Sequence, residues 1–329
     1  MHTTRIRRWA ALALLTLPLV SLAQTPPPWP AGKPITVVVP FPAGGAVDFA
    51  ARLVATRLGE RLGQAVVIDN VAGAGGVVGT TKAVRAAPDG FTLLVAPDST
   101  VVLAHLVTPD TVKYDALKDL VPVGLINSTP FVLVTRPGLP VNSVAELLQY
   151  ARSRPGQLNY ASPGVGNVFH VAMEFMKLQS RVDMVHVPYK AAPQILSDLI
   201  GNQVDLAMMT PSTALASIKA GKVKALGVTV GERLAATPDL PTLGETPELK
   251  GFHFISSIGL FAPARTPAAI VERLNRELNE ILAIPEVRKT FEDLAATPGT
   301  GSAAAFATFL RGELARNERV VKAAGIKGE

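Results

Sequence analysis

Residues able to hold an anion through neutral donors concentrate in two short glycine-rich segments. The first, Pro42-Ala43-Gly44-Gly45-Ala46-Val47-Asp48, joins an apolar β-branched run to an amphipathic one. Paired glycines let backbone N–H groups converge, and a helix starting there adds about half a positive charge. That chemistry suits a carboxylate. Asp48 has two readings, a helix N-cap or a ligand contact. The second segment, Ser162-Pro163-Gly164-Val165-Gly166-Asn167, holds the equivalent place between a strand and a helix. Its Gly164 and Gly166 amides, Ser162 hydroxyl and Asn167 carboxamide form a second donor set. Neither segment carries Lys or Arg. The pair therefore predicts one small carboxylate gripped from both sides by amides and hydroxyls, rather than a polyphosphate.

Other polar positions follow strands: Asp98-Ser99-Thr100, Ser128-Thr129, Tyr189-Lys190-Ala191 and Thr210-Pro211. Each also reads as an ordinary polar loop. Gly73-Ala74-Gly75-Gly76-Val77-Val78-Gly79 resembles a dinucleotide fingerprint, but its spacing is G-x-G-x-x-x-G and it follows the second strand. Close packing of a helix against the sheet explains it equally. Signs of catalysis are sparse. His105, His170, His186 and His253 remain outside the N-terminal segment, and His170 with Glu174 is spaced i, i+4. Zinc would want a third ligand and usually a second His, so no metal is expected, and no cofactor. No G-x-S-x-G elbow or P-loop lysine occurs.

These loops must be positioned by alternating strands and helices. Ile35 to Phe41, Ala65 to Asp69 and Phe91 to Ala96 read as strands, with helices over Asp48 to Leu62 and Val77 to Ala86. In the first helix Phe49, Leu53, Val54, Leu58 and Leu62 recur at helical spacing. The near-continuous apolar strands predict a parallel sheet buried on both faces. After Val121 to Ile126 and Phe131 to Thr135 the pattern restarts. A capping box of Ser143 and Glu146 opens a helix, and strand and helix then alternate to Val230. The fold class expected is α/β, two lobes, each a mostly parallel sheet flanked by helices. Lobe 1 would comprise 34–124 plus 231–329, and lobe 2 would comprise 125–230. The helix from Ser302 to Ala324 would finish lobe 1 or clasp lobe 2. Two crossings between lobes would form a hinge that closes on a ligand.

The N-terminus carries Arg5, Arg7 and Arg8, then the apolar run Trp9 to Val20, then Ser21-Leu22-Ala23. This is the pattern of a signal peptide, 1–23, cleaved near Ala23, and it predicts export to the periplasm. The Arg7-Arg8 pair leaves a twin-arginine route open beside the ordinary secretory one. Proline-rich 24–33 reads as an extended lead-in. The chain has no cysteine, which excludes disulfides, thiolate metal sites and a lipoprotein anchor. Its net charge of +6 comes from scattered Lys and Arg, and no nucleic-acid partner is expected.

Motifs along almost the whole chain resemble the Bug-type receptors of tripartite tricarboxylate transporters. They include Val39-Pro40-Phe41-Pro42-Ala43-Gly44-Gly45 with Asp48, Gly73-Ala74-Gly75-Gly76, Pro88-Asp89-Gly90-Phe91 and Tyr160-Ala161-Ser162-Pro163-Gly164-Val165-Gly166. His186-Val187-Pro188-Tyr189-Lys190 and Pro238-Asp239-Leu240-Pro241-Thr242 continue the series. The resemblance implies a two-lobed type II periplasmic binding fold and capture of a small carboxylate for a membrane permease of one large and one small subunit. It also implies that Ala43, Gly44, Gly45, Asp48, Ser162, Gly166 and Asn167 hold the carboxylate, partly through water. There are departures. Asn70-Val71-Ala72-Gly73 lacks the basic-Pro pair usual before the glycine, Tyr189-Lys190-Ala191 has Ala where Gly is common, and Met208-Met209-Thr210 is apolar where polar residues often occur. The last would make the distal pocket less polar.

The full expected site is Phe41, Ala43, Gly44, Gly45, Asp48, Ser162, Gly164, Gly166, Asn167 and His170, with Ser99, Thr100, Thr129, Tyr189 and Thr210 shaping the distal pocket. The chain is expected to act as a monomeric receptor and not as an enzyme. Two alternatives stay open: a sensor signalling to a membrane kinase, and an exported α/β enzyme.

Overall fold

The computed structural model describes residues 29–190, 192–234 and 237–328. The expected signal peptide lies outside them. Among the described residues no helix is long and apolar enough to cross a membrane.

The chain begins β1 (Ile35–Val39), α1 (Ala46–Leu62), β2 (Val66–Asn70), α2 (Val77–Val84) and β3 (Thr92–Pro97). A π-helical turn over Ser99–Leu103 runs into α3 (Ala104–Val107), then α4 (Ala116–Asp119) and β4 (Leu120–Pro130). Next come β5 (Val132–Thr135), α5 (Val144–Arg152), β6 (Asn159–Ser162), α6 (Val168–Ser180), β7 (Val185–Pro188), α7 (Ala192–Ile200), β8 (Leu206–Met209), α8 (Pro211–Lys219) and β9 (Lys224–Val228). The chain ends with β10 (Ile255–Pro263), α9 (Ala268–Leu282), α10 (Pro285–Asp293), β11 (Thr297–Pro298) and α11 (Ala303–Ala324).

The strands form two sheets, ordered β11-β4-β10-β3-β1-β2 and β7-β6-β8-β5-β9. The fold is α/β with two lobes, as expected. Both sheets, however, are mixed rather than mostly parallel. Parallel pairing is confined to β2-β1-β3 and β7-β6-β8, and β10 pairs antiparallel with both β3 and β4. The reason is topological. The chain leaves the first sheet along β4 and returns along β10, and adjacent outgoing and returning strands must run in opposite directions.

The sheets also divide the chain differently from the boundaries at 124 and 231. Strand β4 stays in the first sheet through Pro130, because β10 pairs with it along its whole length. Past β9, the side chains of Leu243, Leu249, Phe252 and Phe254 enter the second lobe's core beside Phe131 and Tyr160. The crossings therefore fall at Pro130–Phe131 and at Phe254–Ile255. Helix α11 joins both cores: Phe306 and Leu310 pack with Leu94 and Phe261, whereas Val320 and Val321 pack with the second lobe.

The glycine-rich segment after β2 is a packing device. A Cβ on Gly79 would lie 2.5 Å from the Val71 carbonyl oxygen and 2.7 Å from Pro40 Cα. Both neighbours are backbone, so neither can step aside. Gly79→Ala should cost about 3 kcal/mol, at the upper end for overpacking, as a lowered urea midpoint with an unchanged slope. A variant as stable as the parent would show that α2 can lift off the sheet.

Candidate functional site

One cavity of about 570 Å³ spans the two lobes. The first lobe supplies Gly44, Gly45 and Ala46 at the start of α1, Phe49 and Ala50 on its first turns, Asn127 and Thr129 on β4, and Ile258 on β10. Thr290, Phe291, Asp293, Leu294 and Ala296 close one side, and the second lobe contributes Thr210 and Ser212. Among the described residues no Lys, Arg or His lines it.

Gly45 is the N-cap of α1, with φ −82° and ψ 171°, and no side chain caps that helix. The first-turn amides of a helix have no carbonyl partner within it. Gly44 has φ +86°, a conformation that glycine reaches without strain. At the opposite wall Thr210 is the N-cap of α8, and its hydroxyl meets those of Ser212 at 3.2 Å and Thr213 at 2.8 Å. Pro211 opens that helix, where its missing N–H costs nothing. Two helix N-termini thus face one cavity, each presenting amides or hydroxyls and a partial positive charge.

The first loop is held from beneath. Asp48 is almost fully buried and accepts from Gly44 N–H at 2.8 Å, Arg52 Nε at 2.9 Å and Asn70 Nδ2 at 2.9 Å. Asn70 Nδ2 also donates to the Phe41 carbonyl at 3.1 Å. Both Asp48 oxygens are therefore engaged inside the protein. Asp48 is neither the N-cap nor placed on the cavity wall; it fixes the loop that is. The Arg52 guanidinium, helped by the Gly44 amide and Asn70 and opposed by burial, brings its carboxyl down to about 2.

The second predicted loop is equally ordered but lies outside the cavity. Ser162 is fully buried, donates to the Gly164 carbonyl at 2.9 Å and sits 2.7 Å from His186 Nε2. Gly166 N–H donates to His170 Nδ1 at 3.0 Å, and Asn167 caps α6 by accepting from Phe169 N–H at 2.9 Å. The His170 and His186 rings stack 3.8 Å apart, and burial lowers both imidazoles to about 4. The Ser162 hydroxyl and the Gly164 and Gly166 amides thus donate within this region of the second lobe. Thr100 is also turned inward: its hydroxyl donates to the Pro97 carbonyl at 2.9 Å, and its methyl and the Phe41 ring sit against Gly76. Ser99 starts the π-helical turn, and Tyr189 donates to Asp198 at 2.8 Å. Ala43 lines a neighbouring depression beside Asp48 and Arg52.

Of the predicted residues, the structure brings Gly44, Gly45, Thr129 and Thr210 into one cavity. Asn127, Ser212, Ile258 and Phe49 join them unforeseen. Asn127 stands two positions before Thr129, so the period-two rule for strands places both on one face.

Because the folded carboxyl of Asp48 lies below its ordinary value of 3.8, its stabilisation is present above about pH 4 and is lost as pH falls toward 2. Asp48→Asn keeps the shape and removes the charge. It should cost about 2 kcal/mol at pH 7, the scale of a charge-assisted hydrogen bond. The gap from the parent should close between pH 4 and pH 2 in denaturation series. A gap independent of pH would rule out the charge as the cause.

Comparisons with known proteins agree with this architecture. Residues 50–326 match the family described as the tripartite tricarboxylate transporter family receptor. A protein from the tcbD-tcbE intergenic region of Pseudomonas sp. (strain P51) is 36% identical, covering 96% of this chain and 94% of its own. Among solved structures, Rpa4515 of R. palustris, solved with adipate, is 34% identical with TM-score 0.75, covering 92% of this chain and 100% of that one. The periplasmic binding protein BugD is 32% identical with TM-score 0.70, covering 90% and 99%. The chain therefore belongs to the tripartite tricarboxylate transporter receptor family, the Bug-type solute-binding proteins of the periplasm.

Proposed function

We propose that the protein captures a small carboxylate between its lobes and delivers it to a membrane permease of one large and one small subunit. The observation that carries this reading is the pairing of two helix N-termini across one cavity, Gly44–Ala46 on the first lobe and Thr210–Ser212 on the second. A carboxylate there accepts from the α1 amides and, as the lobes approach, from the α8 hydroxyls. Neither lobe alone supplies both donor sets, so binding and closure are coupled. Adipate in the structure of Rpa4515 supports a carboxylate.

Release requires that no contact be too strong. Neutral donors meet this need better than a buried guanidinium, which would hold the anion by a bidentate ion pair. The arrangement also argues against turnover. Ser162 and His186 are close enough to resemble a nucleophile and base, but the Ser162 proton goes to the Gly164 carbonyl. His186 must then donate to the Ser162 oxygen, the reverse of what activation needs. The mature protein would begin after a signal peptide removed near Ala23.

Gly45 provides a direct test. Its backbone already has N-cap geometry, and a Cβ there would meet only the Pro42 carbonyl oxygen at 3.8 Å. Gly45→Asp would place a built-in carboxylate over the α1 amides. Its unliganded stability should stay within about 0.5 kcal/mol of the parent, since Asp and Gly differ little as N-caps. The stabilisation a carboxylate gives the parent, about 2.7 kcal/mol at a hundred times Kd, should disappear. Thermal shift on protein stripped by unfolding and refolding reads both, and retained binding by the variant would move the carboxylate elsewhere.

A further inference from the structure

The Asn127 carboxamide is only 5% exposed, it lines the cavity, and its Oδ1 has no hydrogen-bond partner. A buried carboxamide normally has its groups paired, so an orphan on a binding wall calls for a reason. Its position is built. The pairing of β4 with β10 slips a register between Ile258 and Gly259, whose partners are Asn127 and Leu125, leaving Ile126 as the extra residue of a β-bulge. On the other edge β11 covers the strand, pairing Pro298 with Asn127. Beyond the bulge, the alternation of β4 sets Asn127 and Thr129 on one face, and both line the cavity.

The surroundings limit what this amide meets. Phe49, Ile258, Phe291 and Leu294 give the cavity apolar walls, and Asp293, paired with Lys289 at 2.8 Å, is its one charged lining residue among those described. Beyond the α1 and α8 N-termini, the described lining offers neither a cation nor a further helix N-terminus to a second carboxylate at the far end. A second anion would lose its hydration to neutral groups beside an acid. A hydroxyl or carboxamide, by contrast, both donates and accepts, and so satisfies either end of the Asn127 side chain.

We infer that Asn127 selects the ligand's far end, so that the receptor takes a monocarboxylate whose apolar body ends in a hydroxyl or carboxamide in preference to a dicarboxylate. This rests on the carboxylate being held at the α1 and α8 N-termini. The two claims separate experimentally in two probe series that vary the far end alone: hexanoate, 6-hydroxyhexanoate and adipate, and benzoate, 4-hydroxybenzoate and terephthalate. Isothermal titration of stripped protein should show, in the series that fits the cavity, the hydroxy acid binding about tenfold tighter than either companion.

Asn127→Ala should lower hydroxy-acid affinity to that of the unsubstituted acid and leave the latter within twofold. If that variant does not fold, the parent's ranking decides alone. A dicarboxylate that binds as tightly as the hydroxy acid, or an Asn127→Ala protein that keeps the preference, overturns the role of Asn127 and leaves the carboxylate site standing. Six probes that all fail to bind folded protein overturn both.

Discussion

The antiparallel pairing of β4 with β10 is the constraint on which the rest of the molecule depends. Its partners run from Ile255 with Pro130 to Pro263 with Leu120. Both strands are also the crossings between lobes: β4 ends at Pro130 and β10 starts just after Phe254. The same two strands therefore fix the middle of the first sheet, set where the chain crosses between lobes and line the cavity with Asn127, Thr129 and Ile258. Two crossings made of paired strands are the kind of connection about which lobes close on a ligand, which is the motion the proposed function calls for. Helix α11 adds a third connection by packing Phe306 and Leu310 in one core and Val320 in the other.

On that frame the two walls are made alike. Each is a helix N-terminus following a strand, with a pre-formed turn: Gly44 and Gly45 ahead of α1, Thr210 and Pro211 ahead of α8. The α1 wall is stiffened by a carboxylate that never reaches the cavity. Asp48 ties the Gly44 amide to Arg52 and Asn70, so the loop does not have to be ordered when a ligand arrives. Asn70, the last residue of β2, is part of that support.

Much of this was legible in the sequence. Apolar periodicity located the helices of both lobes, and the Gly44-Gly45 pair after β1 located the principal wall. The sheet order was not legible, because strand direction in β4, β5, β9 and β10 follows from where the chain crosses between lobes and not from local pattern. The sequence points to the loop before α6 as the second donor set, whereas the second lobe's part of this cavity wall is Thr210 and Ser212. Ser162-Pro163-Gly164 and Thr210-Pro211-Ser212 both follow strands and precede helices, and local sequence gives the glycine-rich one more weight. Only the tertiary structure shows the Ser162, Gly164 and Gly166 donors of that loop engaged inside the second lobe. Asn127 could have been read from its period-two spacing to Thr129, but nothing local shows that this face of β4 meets a cavity.

The central claim is that the carboxylate sits between the N-termini of α1 and α8. Backbone amide chemical shifts of the stripped, isotopically labelled protein, followed through titration with a carboxylate that stabilises it, test this most directly. With the carboxylate seated there, the amide signals of Gly45, Ala46 and Ser212 should move together with one saturation curve, while those of Gly164 and Gly166 move little. Saturable shifts centred on Gly164 to Asn167, with Ser212 unmoved, would contradict it and put the ligand at the start of α6.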